Sequence, residues 1–451
     1  MSAPTSSPHS GATQLQLSLR EVRRLVSLAL PIMVSLSAAT LIGVVDTVMI
    51  SPLGTDALAA ASIAASIMMI FYAGLYGLVS VGSVLVARAF GAGDAEGAVS
   101  ALLAALVVAL AGGLLGAGLM FATLFALPLL GQPAEVLQGI TAYWTAQSLL
   151  LVPFALLYAM KGLYDATDRP WLGVGFSFVA VFVNIPANWI FIHGIGSWDG
   201  LGLVGAALAS ILSETLSLIL ALAYWRLAPS MAAYRAPARV KRSEVLLQIR
   251  EGTTLALGYA GEGGSVAVAG LMLGWFGAQA LAAYQIVGSV TAVFYMLPLG
   301  MAAAVAIRVS QAIGAGAPER ARPIGFAAFG VVTLWMAVVT VLLIVFGATV
   351  SRALSDNAEV IQLATTMFII FATMQIFDGL QASALGALRG MLDNRWPVVV
   401  TLLLYWLLAL PLGWLIADPL GFGPNGIWIG YSVAILLAAA ALGWRFMKRT
   451  A

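Results

Sequence analysis

Four carboxylates stand in stretches of sequence that otherwise hold almost no charge. They are Asp46 in LIGVVDTVMI, Glu214 in ILSETLSLIL, Glu262 in GYAGEGGSVAVAG and Asp378 in MQIFDGLQA. None has a lysine or arginine close by in the sequence. A charged side chain at the centre of a bilayer costs about 2.5–3.5 kcal/mol on insertion scales, so such residues face a protein interior or a watery cavity. A carboxylate buried without a cationic partner relieves that cost by taking up a proton or binding a cation. The chemistry on offer is therefore cation or proton binding inside the membrane. The chain has no cysteine, which removes disulfides, thiol nucleophiles and thiolate metal sites. Its two histidines, His9 and His193, lie outside the apolar runs or at the edge of one. Imidazole chemistry has no place there.

The elements that must position these acids are membrane helices. Of 451 residues, 61% are hydrophobic and 9% charged, against about 25% charged in soluble domains. Runs long enough to cross a bilayer, about 20 residues, fall at 25–50, 57–87, 98–127, 137–161, 170–193 and 201–226. They resume at 247–275, 279–309, 322–350, 359–388, 396–417 and 424–446. The expected fold is an all-α polytopic membrane protein of twelve spans. The expected organisation is a disordered polar tail at 1–18, a six-helix lobe at 19–226, a cytoplasmic linker at 227–246 and a second six-helix lobe at 247–451. The first apolar run begins too late, and lacks the small-residue site, for a cleaved signal peptide.

Charge and repetition support that count. With the N-terminus inside, 20 of the 21 Lys and Arg residues fall on inner segments and only Arg352 falls outside. Both termini are then cytoplasmic. The halves repeat: LGTDALAAASI (53–63) aligns with FGAQALAAYQI (276–286), and AFGAGDAE (89–96) with AIGAGAPE (312–319). AEVLQ (134–138) aligns with AEVIQ (358–362) one residue out of that offset. Six spans is an even number, so the lobes share one orientation and a pseudo-two-fold axis along the membrane normal. Parallel repeats with a site near the midplane describe a transporter.

Depth arithmetic places the acids. Asp46 belongs to the outer half of the first lobe. Glu262 lies roughly 18 Å into its span at 1.5 Å per residue, and Asp378 runs inward to a similar level, so the two can meet. Tyr295 offers a hydroxyl at that depth, while Tyr259 shares the Glu262 face and Met374, Gln375 and Gln381 that of Asp378. Carboxylates with neutral oxygens suit a hard cation or a proton. Glu214 is an additional candidate proton or substrate site. Met68, Met69, Met272 and Met374 are candidates to line an adaptable pocket, with Tyr259, Gln375, Asn184 and Asn188; the two asparagines are equally suited to interhelical hydrogen bonding. Pro31, Pro153, Pro186, Pro298 and Pro411 are either hinges or static kinks.

These words resemble a known family. ALPIMVSLSAATLIGVVDTVMISPLG, EGTTLALGYAGEGGSVAVAGLMLGWFGAQALAAYQI, FYMLPLGMAAAVAIRVSQAIGAG, MQIFDGLQASALGALRG and NIPANWIFIHG are similar to the multidrug and toxic compound extrusion (MATE) transporters. The carboxylate spacing fits the NorM-type branch, and the likeness covers the chain beyond the tail. It implies a V-shaped pair of six-helix lobes that alternates access. It implies export of amphipathic, often cationic drugs driven by inward Na⁺ or H⁺. It also implies a second-lobe cation site at Glu262 and Asp378 (the Na⁺ ligands in a sodium-driven protein) with Tyr295, and a first-lobe site at Asp46. Glu214 departs from the pattern.

The expected protein is therefore a secondary exporter of the bacterial cytoplasmic membrane. Its partners would be small amphipathic drugs and the lipid bilayer, with no nucleic acid. It would have no cofactor beyond the coupling ion, would act as a monomer, and would not be an enzyme, since no metal-ligand or nucleophile–base cluster stands out. The alternative is a lipid-linked precursor flippase of related architecture. Such a protein needs a basic cavity for pyrophosphate, whereas the charges inside these spans read as all acidic.

Overall fold

The computed structural model describes residues 9–130, 140–235 and 237–451. Twelve long helices dominate it, as they must where no water is available to satisfy backbone polar groups. The first half comprises α1 (His9–Ile50), α2 (Thr55–Gly91), α3 (Ala95–Thr123), α4 (Ile140–Ala166), α5 (Pro170–His193) and α6 (Leu203–Leu227). The second comprises α7 (Arg242–Gly274), α8 (Ala278–Gly314), α9 (Ala321–Leu354), α10 (Ala358–Gly390), α11 (Arg395–Ala417) and α12 (Asn425–Arg449). Eleven are apolar enough to read as membrane spans. The exception is α7, whose 33 residues suffice in length but whose hydropathy is diluted by Glu262 and its flanking glycines.

Two expectations change. The backbone of residues 9–18 is already helical and continuous with α1, where the composition predicts a disordered tail; ATQLQLSLREVRR is rich in Gln, Leu and Arg, all good helix formers. Residues 1–8 of that tail, and the AEVLQ word at 134–138, lie outside the described residues. The second half begins at Arg242, five residues before the expected boundary. A short 3-10 segment, Pro229–Arg235, occupies much of the connection to it.

The duplication is written into the backbone. Gly54 (φ 103°) opens α2 and Gly277 (φ 98°) opens α8, each in a conformation only glycine adopts without strain. Within each half the helices pack on one another, α3 on α4 and α5 on α6 in the first, α8 on α10 and α9 on α10 in the second. The halves meet along α2 with α7 and α1 with α8. Those seams need glycine. A Cβ on Gly77 would lie 2.7 Å from the Ala256 nitrogen, and one on Gly300, its counterpart, 2.7 Å from the Ala29 carbonyl oxygen. Where α2 and α8 end, Gly91 sits against the Gln311 carbonyl and Gly314 against that of Arg88, a reciprocal contact. Small residues that admit close backbone approach are how membrane helices bind without a hydrophobic drive between them.

Polar contacts lock the same end. Glu21 of α1 pairs with Arg308 (3.0 Å) and Arg320 (2.6 Å) of the other half. Ser310 donates to the Val84 carbonyl (2.7 Å), and Gln311 Nε2 to the Ala166 carbonyl (3.1 Å) and Asp168 (3.0 Å). Arg88 reaches the Gly390 carbonyl (3.3 Å) and Gln248 that of Ala101 (3.0 Å). Among the described residues, every side-chain hydrogen bond between the halves lies toward the end that carries both termini. That end is the closed one.

A tie at the same face makes a pH prediction. Asp393, in the α10–α11 turn, accepts from Arg445 Nε (2.9 Å) and Arg449 Nε (2.7 Å) of α12. Burial alone would push its carboxyl up, but the two guanidinium groups outweigh it and hold it below the usual range. A depressed folded value stabilises above the ordinary carboxylate range and is lost as pH falls through the folded value. Asp393→Asn should therefore lower the melting temperature by a constant margin at neutral pH. The margin should shrink once pH drops below about 4, read by thermal unfolding at stepped pH.

Candidate cation-coupling sites

In the second half, α7, α8 and α10 bring Glu262, Tyr295 and Asp378 together. The Tyr295 hydroxyl donates to Asp378 Oδ1 at 3.1 Å, and the Glu262 and Asp378 charges act on each other and on Tyr295. Ser265 Oγ donates to the Glu262 carbonyl at 2.8 Å and accepts from the Tyr431 hydroxyl of α12. Gln381, one turn from Asp378, donates through Nε2 to Tyr405. Tyr405 comes from a π-helical stretch of α11, Leu404–Ala409. Such a bulge is expected just ahead of Pro411, whose ring excludes the carbonyl one turn back and which has no N–H to give.

The site is rich in acceptors and poor in donors. Gln375 Oε1 and Gln381 Oε1, three residues to either side of Asp378 on α10, are both buried without a hydrogen-bond donor. An orphaned buried acceptor is costly. A monovalent cation or a proton would satisfy it. The residues fit a hard-cation or proton site made only of oxygen.

In the first half, Asp46 of α1 accepts from Asn188 Nδ2 (2.6 Å) of α5 and from Ser210 Oγ (3.0 Å) of α6. Asn184 completes the ring, donating to Ser210 (3.1 Å) and accepting from Asn188 (2.9 Å). The two asparagines are hydrogen-bond ties to Asp46 and do not line a cavity: both are fully buried and both amide nitrogens are used in that ring, while Asn188 Oδ1 is left without a donor. Ser210 carried no sequence signal beyond its position four residues before Glu214. Every group around Asp46 donates, so Asp46→Asn sets an amide against donors. Its expected cost is about 1–3 kcal/mol, seen as a lower melting temperature independent of any transport assay.

The pocket-lining expectation is not met for three of the four methionines. Met68, Met272 and Met374 are packed in the core, while Met69 is 74% exposed. Helical phase decides this, and four methionines without a periodic face could not have shown it. Gln375 is buried beside Asp378, while Tyr259 is half-buried where the halves meet, 5.3 Å ring to ring from Tyr76.

Nor are the charges inside the spans all acidic. α4 continues to Ala166, which places Lys161 and Asp165 on a helix rather than in a loop. Arg389, near the end of α10, is only 3% exposed; it donates to the Tyr259 hydroxyl (3.3 Å) and the Ala302 carbonyl (3.2 Å). Both cations lie within two turns of a span end, which is why the sequence reads them as surface charges. Neither makes a basic cavity: Arg389 is sealed beneath Tyr259, and Lys161 faces carboxylates. The i, i+4 spacing of Lys161 and Asp165 was the available signal.

Twelve membrane helices in two parallel repeats, each enclosing its own buried carboxylate site, define a transporter of the MATE fold. The chain belongs to the MatE family, whose profile matches residues 31–190 and 255–415. A probable multidrug resistance protein NorM of Deinococcus radiodurans is 33% identical over 435 residues, covering 95% of this chain and 96% of its own. The protein of that name from Pseudomonas aeruginosa is 33% identical over 444 residues, covering 96% and 91%. Among solved structures, a point mutant of a MATE protein superposes with a TM-score of 0.86 at 19% identity, covering 95% of this chain and 96% of that one. The eukaryotic MATE transporter AtDTX14 gives a TM-score of 0.83 at 24% identity over the same shares.

Proposed function

We propose that this protein is a secondary active exporter that couples inward movement of Na⁺ or H⁺ to removal of amphipathic, cationic organic compounds. Its place is the cytoplasmic membrane of a bacterium, with both termini inside, and it works as a monomer. The observation that carries the reading is the Glu262–Asp378–Tyr295 cluster with two orphaned glutamine oxygens beside it. A polar site with spare acceptors and no internal cation is built to receive one from outside. Family membership and the NorM relatives support a drug as the other cargo.

The chain's own residues suggest the cycle. The lobes at 19–226 and 247–451, joined by 227–246, act as two bodies. Their closed end carries the termini, so the cation's route in is assigned to the opposite, outer end. A cation entering from there binds Glu262 and Asp378, draws Tyr295 and the glutamines toward it, and changes how α7, α8 and α10 pack. Coupling requires only that cation and drug prefer different packings. Asp46, tied to α5 and α6, offers the first lobe a second point of cation or proton uptake.

Drug efflux from proteoliposomes under an imposed Na⁺ or pH gradient tests the reading. Movement of a cationic drug under one gradient supports it and identifies the ion. Failure under both, with lipid flipping instead, would favour the flippase.

A further inference from the structure

Lys161 has no role in either cation site, yet it is the one ammonium within the body of the first half. It projects from α4 with its Nζ 2.9 Å from Ser177 Oγ of α5, and Ser177 in turn pairs with Ser35 Oγ of α1 at 2.8 Å. Two carboxylates act on it: Asp165, one turn along α4, and Glu214 of α6. Gly173 of α5 packs against Lys161 and Asp165 at ordinary contact distance. A Cβ there would lie 3.5 Å from Asp165 Oδ1 and 3.8 Å from Lys161 Cγ. Among the described residues, neither carboxylate closes to a direct ion pair with the ammonium. Two carboxyl groups thus stand near one ammonium, and neither is closed off by it.

The surroundings are aromatic. The Lys161 ammonium lies 5.6 Å from the Tyr158 ring centroid. Phe154 is 6.1 Å from Tyr158 and 4.4 Å from Tyr72 of α2, whose hydroxyl feels both Glu214 and Asp46. Tyr72, Phe154, Tyr158, Lys161 and Glu214 are all half-buried, so they form a wall with some access rather than a sealed core. An aromatic face beside a carboxyl group with no direct ion-pair partner attracts a flat organic cation. A resident ammonium on the same wall opposes it.

We propose that Lys161 is a specificity-determining counter-cation: it offsets part of the Asp165 and Glu214 charge, and a cationic compound engages Glu214 in competition with it. This deepens the export reading and rests on it. Lys161 is a positioning residue for charge, and no contact with the Glu262–Asp378 site is required. The lysine sets how strongly the first half holds a cation, so a drug bound there can still leave. Removing the ammonium leaves two carboxylates unopposed and should trap such a cargo.

The test is binding of ethidium, a flat monocation, and of phenanthridine, its uncharged core, to the full-length protein in detergent. Fluorescence anisotropy reads the first and ligand fluorescence the second. Lys161→Met should lower the ethidium Kd about tenfold, the effect of removing a like charge several ångströms away at a partly screened site. Lys161→Arg keeps the charge and should keep the wild-type Kd. Phenanthridine should not respond to either. Adding Glu214→Gln to Lys161→Met should return ethidium to the wild-type Kd or weaker. Should Lys161→Met fail to fold, Glu214→Gln alone should weaken ethidium several-fold and leave phenanthridine unchanged. An ethidium Kd indifferent to both Lys161→Met and Glu214→Gln overturns the inference, as does a gain that survives in the double variant. In either case wild-type binding keeps the export reading standing. A wild-type protein that binds neither probe overturns both.

Discussion

Asp378→Asn and Glu262→Gln should each abolish gradient-driven drug efflux while leaving the protein folded. Both substitutions keep shape and hydrogen-bonding volume and remove the ability to hold a charge. Asp378 accepts from Tyr295 at 3.1 Å, and an asparagine oxygen can accept the same bond, so the fold loses little. What is lost is the differential grip on the cation. Coupling free energies of about 1–3 kcal/mol correspond to about 5–150-fold, and efflux in proteoliposomes should fall by that range or below detection. Tyr295→Phe removes one neutral oxygen and should weaken coupling by less. The check is concentration dependence: in a sodium-driven protein the Tyr295→Phe rate recovers at higher Na⁺, and the carboxylate variants do not. Full-rate transport by both carboxylate variants would make the pair structural.

Gly314→Val should open the closed end. Gly314 and Gly91 pack reciprocally against the Arg88 and Gln311 carbonyls, backbone on backbone, with no flexible side chain able to yield. Overpacking such a seam costs about 1–3 kcal/mol, which shifts an equilibrium between closed and open forms by about 5–150-fold. The chain has no cysteine, so a pair introduced at the equivalent positions Ala92 and Ala315, both exposed, can carry spin labels without background. The distance distribution in Gly314→Val should move to longer values, with the folded protein retained. An unchanged distribution would mean that the polar ties, led by Glu21 with Arg308 and Arg320, hold this end without the glycines. Glu21→Gln in the same background would then be the decisive addition.

Much of the architecture is legible in the chain because the bilayer imposes a simple rule. A span must be long and apolar, so twelve runs predict twelve helices, and an offset of 223 between GAGDAE and GAGAPE predicts that the halves share one orientation. The same rule makes Asp46, Glu262 and Asp378 conspicuous, since charge in such a run is expensive. The rule fails near span ends. Lys161 and Arg389 lie within two turns of a boundary and read as surface charges, although their helices carry them inward. It fails also for neutral residues, whose burial depends on helical phase: Met68, Met272 and Met374 read as pocket and are core, and Asn184 and Asn188 are bound up with Asp46.

The sequence by itself therefore determines the membrane class, the helix count, the duplication and the three conspicuous acids of the candidate sites, because each follows from local cost and periodicity. Only the tertiary structure decides who meets whom. It joins Asp378 to Tyr295 across 83 residues and Asp46 to Asn188 across 142, leaves two glutamine oxygens without donors, and gathers every polar tie between the halves, among the described residues, at the end with the termini. Those are relations between helices set by packing angle and rotation, quantities that no single helix carries in its own sequence.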